Sequence, residues 1–222
     1  MMILDSTSLM NTLDNINEKY LFGEAINKEE GLEAAQWIIS QQGKKGAYRN
    51  MFAPTPSDFE QGIRLFTGER LVSASARHIL GQEAARAAWL LGNFDPGVRN
   101  AYHQATGWML ENTDFLESGA FCCSRCTLAF WRHFWVGDFG DKEAIMLKGL
   151  QMMKDSRLGD GKWRYFPFYY AVYTLLSLEL EPAYTELRYA RPAMEQYVKK
   201  TRAGAYSKRR VTIFEIALDK VN

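Results

Sequence analysis

Three cysteines crowd into Phe121-Cys122-Cys123-Ser124-Arg125-Cys126, and His133 follows downstream. Cys123 and Cys126 have the spacing that zinc knuckles use, in which two thiolates supply half of a tetrahedral site. On a helix, Cys126 and His133 share a face but stand about 10.5 Å apart along the axis, at roughly 1.5 Å rise per residue. One ion cannot reach both, so a site built on Cys123, Cys126 and His133 needs a ligand from elsewhere, such as His78 or His103. No second Cys-x-x-Cys accompanies the first. The expectation is therefore no metal, with the thiols as small packed residues and zinc as the candidate ion if one binds.

A metal-free chemistry is also open to these residues. If Cys122 or Cys123 caps a helix, the positive end of the helix dipole favours its thiolate, with Arg125 and Arg132 nearby in sequence. Such a thiolate suits redox chemistry or alkyl transfer, although no general base is evident beside it. Aromatic residues gather close by: Trp131 and Trp135, then Trp163, Tyr165, Phe166, Phe168, Tyr169, Tyr170 and Tyr173. They can line a pocket for an apolar ligand whose polar end is fixed by Arg132, Arg164 and tyrosine hydroxyls. They can equally form a dense core. The run Lys199-Lys200-Thr201-Arg202-Ala203-Gly204-Ala205-Tyr206-Ser207-Lys208-Arg209-Arg210 is the one strong basic cluster, and it reads as a solvated helix junction with acidic neighbours. His78 and His103 are isolated, and no phosphate-binding glycine loop is present.

The elements that must position these side chains are helices. Strand-type alternation is scarce, whereas apolar residues recur at helical spacing through most of the chain. Asn27 to Gln42 carries a stripe of Leu32, Ala35, Trp37, Ile38 and Ile39; Ser57-Asp58 caps a short helix through Phe66, closed by Gly68; Ser73 or Ser75 opens an alanine-rich helix that stops at Gly92. Asp95-Pro96 starts a helix through Asn112, with proline suited to the first helical position. Phe121 to Val136 and Phe166 to Leu180 are apolar on nearly every side, as interior helices are. Asp141 caps the helix between them, and Ser207 a final helix ending near Val221. Bends containing a glycine and an aromatic recur at Gly46-Ala47-Tyr48, Gly119-Ala120-Phe121 and Gly161-Lys162-Trp163. A period of roughly 40 residues and two helices marks a repeat architecture.

With 222 residues, 47% hydrophobic and 14% aromatic, the chain has ample material for a core, and disorder is excluded. Lys plus Arg (27) balance Asp plus Glu (26), so no global field draws in nucleic acid or an anionic membrane. The start, Met1-Met2-Ile3-Leu4-Asp5, lacks a basic segment before its apolar residues, and no stretch reaches the ~20 apolar residues of a membrane span. Three cysteines too close together for a disulfide framework fit reduced thiols and a cytoplasmic protein.

An amphipathic helix, then Asp-Gly-x-Trp, then an apolar inner helix resembles the repeat of prenyltransferase β-subunits and squalene or terpene cyclases. Asp160-Gly161-Lys162-Trp163, followed by Tyr169 to Glu179, is the best copy; Ser118-Gly119-Ala120-Phe121 and Lys45-Gly46-Ala47-Tyr48 are degenerate ones. The resemblance covers most of residues 28–200. It implies an all-α fold in which helical hairpins form a partial or open α/α toroid, its end covered by a homodimer partner. The catalytic motifs of that superfamily are missing: there is no Asp-x-Asp-Asp, and no match to its zinc-ligand segments. Asp138 and Asp141 read as a loop residue and a helix cap.

Residues 1–222 are thus expected to form one helical-repeat domain. Residues 1–26 are a lead-in, 27–182 three hairpins with an extra short helix near 57–66, and 183–222 a terminal helix pair. The expected function is binding of an apolar or isoprenoid-like small molecule in an aromatic-lined cavity. The alternatives are a protein–protein interaction scaffold and a zinc- or thiolate-dependent transferase using Cys122, Cys123 and Cys126.

Overall fold

A computed structural model describes residues 2–72, 74–111, 113–200 and 203–222. Within them the chain is all-α, as expected, with eleven helices and no strands, only three isolated antiparallel bridges. In order these are α1 (Leu9–Leu21), α2 (Lys28–Ile39), α3 (Pro56–Gln61), α4 (Ser75–Gly92), α5 (Pro96–Leu110), α6 (Thr113–Ser118), α7 (Ser124–Val136), α8 (Lys142–Asp155), α9 (Phe168–Leu176), α10 (Glu181–Val198) and α11 (Ala205–Lys220). Ser73, Asn112, Thr201 and Arg202, named above as cap, helix end and part of the basic run, lie outside the described residues.

Two kinds of helix account for the packing. In α4 almost every residue is buried, α7 is buried from Cys126 to Phe134, and α9 from Tyr170 to Leu175. By contrast, α2, α5, α8 and α10 bury single stripes, such as Ile145, Met146, Gly149, Leu150 and Met153 of α8. An amphipathic stripe must be covered and an all-round apolar helix must be surrounded; these contacts meet both demands. The apolar helices neighbour one another in the order α4, α7, α9, and α9 then meets α11. The striped helices run beside them in the order α2, α5, α6, α8, α10. Two of the glycine bends close alike, with an antiparallel bridge between Gln42 and Phe52 in one and between Arg157 and Trp163 in the other.

The caps differ in detail from the sequence-based expectations. Thr55, not Ser57, caps α3, with Asp58 completing a capping box, and the helix ends at Gln61 rather than Phe66 because Gly62 turns the chain at a φ of +81°. Gly204 precedes α11, which opens at Ala205 ahead of Ser207. Asp141 sits at the N-cap of α8 in a left-handed conformation and makes no side-chain cap. Phe121, Cys122 and Cys123 lie before α7 rather than within it.

The segment expected as a lead-in contains α1, which lies against the apolar helices. Ser8 caps it, and fully buried Asp58 receives Ser8 Oγ at 2.5 Å and the Leu9 and Met10 amides at 3.2 and 3.0 Å. A carboxylate so placed answers the unpaired amides of a helix start. Asn17 of α1 then accepts three hydrogen bonds on its side-chain oxygen: from Arg86 Nη1 of α4 (3.2 Å), Arg132 Nη2 of α7 (3.3 Å) and Tyr173 of α9 (3.0 Å). From α11, Arg209 reaches Asp14 at 2.6 Å and Glu18 at 3.3 Å. One amphipathic helix is therefore tied to five others by polar groups.

At the centre Arg132 Nε donates to Glu83 Oε1 at 2.8 Å, and the Tyr170 hydroxyl donates to the same oxygen. The guanidinium also stacks 4.0 Å from the centre of the Tyr173 ring. Burial alone would raise the Glu83 carboxyl, but Arg132 and Arg86 outweigh it and hold the group ionised. A buried charge is tolerated only when paired.

The Gly119 bend has its own steric reason. Its φ of +68° is left-handed, and a Cβ there would meet Ile145 O and Gly149 N at 2.4 Å. Gly149 of α8 is equally tight: a Cβ would fall 2.6 Å from Gly119 O and from the Trp131 ring. Trp131 Nε1 donates to Gly119 O at 2.7 Å, so the bend, α7 and α8 lock together.

Two outcomes follow for stability. Glu83→Ala strands the Arg132 guanidinium, and chemical denaturation should show a loss of about 3–5 kcal/mol. Gly149→Ala should cost on the order of 1–3 kcal/mol by overpacking; an unchanged midpoint would contradict the close approach at Gly119.

Candidate functional site

The cysteine cluster stands where the Gly119 bend delivers the chain to α7. Cys122 lies in the connecting loop, Cys123 is the N-cap of α7 in extended conformation, and Cys126 sits in the first turn. Cys126 points inward and is fully buried, while Cys122 and Cys123 are exposed. Across from them α4 presents His78, which is 2% exposed. The ligand atoms of His78, Cys122 and Cys126 all lie within 4.8 Å of one another. A nitrogen and two sulfurs from two separate segments thus converge on one point, a donor set suited to zinc.

The surroundings hold this imidazole in place. Its ring packs against Phe121 at 4.2 Å and Tyr48 at 4.5 Å between centroids, and its Nε2 lies 2.8 Å from the Gln82 side-chain amide. The amide nitrogen donates, so His78 Nε2 accepts and the ring proton sits on Nδ1, while Gln82 Oε1 is buried without a partner. Turning the amide over would let Oε1 accept from Nε2–H and free Nδ1 to ligate, as the outer hydrogen bond of a ligating histidine does. Burial holds the His78 pKa down to about 3, so the ring is neutral at physiological pH. Burial pushes the Cys126 thiol up, and the neighbouring Cys123 and Cys122 sulfurs add to the effect. Burial raises Cys122 as well. A buried thiol such as Cys126 retains its proton unless a cation replaces it.

Beside the cluster opens a groove of about 1080 Å³, walled by the start of α7, the end of α8 and the bend at 164–166. Cys123, Ser124 and Arg125 form one wall; Met152, Arg157, Arg164, Tyr165 and Phe166 face it. Ser124 Oγ holds the Tyr165 carbonyl at 2.5 Å, and the Tyr165 side chain stands 82% exposed at the rim.

The structure distributes the candidate pocket residues rather than gathering them. Arg164 and Tyr165 line the groove. Arg132, Tyr170 and Tyr173 belong to the buried polar centre. Trp131 is sealed between the Gly119 bend and α8. Trp163 is buried with its Nε1 on Glu186 at 2.7 Å. Trp135 carries Lys142 over its ring, and Phe168 and Tyr169 pack on Phe214.

His133 stays apart from the thiols. The Thr106 hydroxyl donates to Tyr102 O at 2.7 Å and so meets His133 Nε2, 3.0 Å away, as an acceptor. The proton therefore sits on Nε2, and Nδ1 is buried without a partner. His103 pairs with Asp138 at 3.0 Å on the surface. In the basic run, Arg209 is spent on Asp14 and Glu18, and Arg210 donates to Thr67 O at 2.7 Å. The ligand that sequence spacing could not assign is His78: it was available as an extra donor, but nothing in Ala76-Arg77-His78-Ile79 points across to residue 122.

Comparisons of the chain with family models, with curated proteins and with solved structures find no match.

The buried histidine carries a pH consequence. An unfolded imidazole titrates near about 6.5, whereas burial, with the nearby His78 second, holds His133 at about 3. Between these values the unfolded chain takes up a proton that the folded one refuses. The contribution of His133 is therefore complete above about pH 6.5 and is lost as pH falls toward 3. Urea titrations should show His133→Gln with a shallower acid slope than the parent; parallel slopes would refute the assignment.

Proposed function

We propose that this chain is a zinc-binding protein whose ion is held by His78, Cys122 and Cys126, with a fourth position left for a ligand from the neighbouring groove. The observation that carries this reading is the convergence of the three donor atoms within 4.8 Å. Three protein ligands plus one exchangeable position is the arrangement catalytic zinc sites use, in which the ion polarises a bound water or carbonyl. Cys122 and Cys126 supply charge that neutralises the ion, and His78, kept neutral by burial, supplies an imidazole nitrogen once the Gln82 amide turns its oxygen toward the ring. Gln82 orients the ring.

The groove gives the reaction a substrate class. Met152, Tyr165 and Phe166 offer apolar contact, while Arg125 and Arg164 offer positive charge at its walls. An apolar or isoprenoid-like molecule with a polar end fits that lining, and this surface groove takes the place of an interior cavity in the reading. A zinc-dependent transferase or hydrolase acting on such a molecule is the function we favour. The neighbour order of the apolar and striped helices supports placing the chain among open α/α arches.

Metal analysis of the purified chain should find one zinc per molecule. Cobalt substitution should produce thiolate-to-metal charge-transfer absorption. His78→Ala, Cys122→Ser and Cys126→Ser should each weaken zinc by more than the roughly 10–100-fold that loss of an outer hydrogen-bonding partner costs. Absence of zinc and of the cobalt spectrum in the parent protein would end this reading.

A further inference from the structure

Cys123 has no place in the three-atom ligand set, yet it stands between two members of it. It is exposed, it lines the groove, and its side chain makes no cap hydrogen bond to α7. Cys126 counts both Cys122 and Cys123 among its sulfur neighbours. The geometry from N-cap to first turn favours a bridge between Cys123 and Cys126. A side chain at the N-cap normally reaches toward the third residue of its helix, which here is Cys126. Residues three apart in a helix lie roughly 5–6 Å apart at Cβ, so a modest adjustment of the loop end meets the disulfide requirement of about 3.5–4.5 Å. One thiol is thus open to small molecules entering the groove, and it interacts with buried Cys126, one of the three proposed ligands.

We propose that Cys123 is an oxidation site through which a hydroperoxide empties the metal centre. The inference rests on the zinc reading above. In the first step the Cys123 sulfur attacks the peroxide. The O–O bond breaks and an S–O bond forms; the sulfur is oxidised by two electrons to the sulfenic acid, and hydrogen peroxide leaves as water. In the second, the Cys126 sulfur attacks the sulfenic sulfur. An S–S bond forms, the S–O bond breaks, and hydroxide departs, taking up a proton to become water. Cys126 is then unable to ligate, and only His78 and Cys122 remain on the ion. An external thiol reverses the change by exchange with the disulfide. Exposed Cys123 as the attacking residue and buried Cys126 as the resolving one match their positions: the oxidant reaches the groove side, and the ligand is lost on the core side.

The test uses the full chain loaded with zinc, hydrogen peroxide as the oxidant and a chromogenic chelator to report release. Zinc content is measured first. The parent should lose its zinc rapidly, and a thiol reductant should restore binding. Cys123→Ser should hold zinc with parental affinity and lose the rapid release. Trypsin cleaves after Arg125, so a disulfide between Cys123 and Cys126 appears as a cross-link between two peptides, and fragment ions distinguish Cys123 from Cys122. Equal release by Cys123→Ser and the parent, or a cross-link through Cys122, would overturn the switch and leave the zinc site standing. A parent protein without zinc before any oxidant is added would instead remove the site on which the switch depends.

Discussion

The Arg132 guanidinium, sealed in the middle of the helices, sets the terms for the rest of the structure. A charge in that position must be paired and its donors satisfied, or the fold forfeits several kcal/mol. Glu83 neutralises it, Asn17 and the Tyr173 carbonyl take other donors, and the Tyr173 ring covers its face. Those partners come from α4, α1 and α9, while Arg132 itself is on α7. Satisfying one side chain therefore fixes the relative placement of four helices, a constraint that apolar packing alone imposes more loosely.

From that centre outward, each layer positions the next. Arg132 and Glu83 register α7 against α4, and the same two helices carry Cys126 and His78 nearer their other ends. Cys126 and Arg132 are on one helix, as are His78 and Glu83, so the ligand atoms inherit their separation from the buried ion pair. The Gly119–Gly149 contact and the Trp131 hydrogen bond then hold the loop that brings Cys122 over the site. The groove runs past this cluster with Phe121 and Cys123, rather than His78, Cys122 or Cys126, in its wall.

Much of the helical architecture was legible in the residues. The two helix types, the bends at Gly46, Gly119 and Gly161, and the burial of Leu128 to Phe134 and Tyr170 to Leu175 all follow from hydrophobic period and turn chemistry. Helix ends were less so, because Thr55 and Gly204 compete with adjacent residues that are equally good caps. The candidate site was half visible. Cys122, Cys123 and Cys126 announce themselves by spacing. The aromatic residues from Trp163 to Tyr173, by contrast, look alike in sequence and prove to face three different surroundings.

The residues read alone carry a local code: which segments coil, which of their faces are greasy, and that three thiols meet a helix start. Periodicity and capping act over a few residues, so a chain can state them without folding. It took the folded chain to show that α1 enters among the apolar helices, that Arg132 is a structural charge and not a pocket residue, and that His78 lies beside the Cys122 and Cys126 thiols. Each of these depends on pairing groups 41 or more positions apart in the chain. Such partners are selected by the desolvation cost of leaving a buried polar group alone, and that cost exists only once the interior has closed.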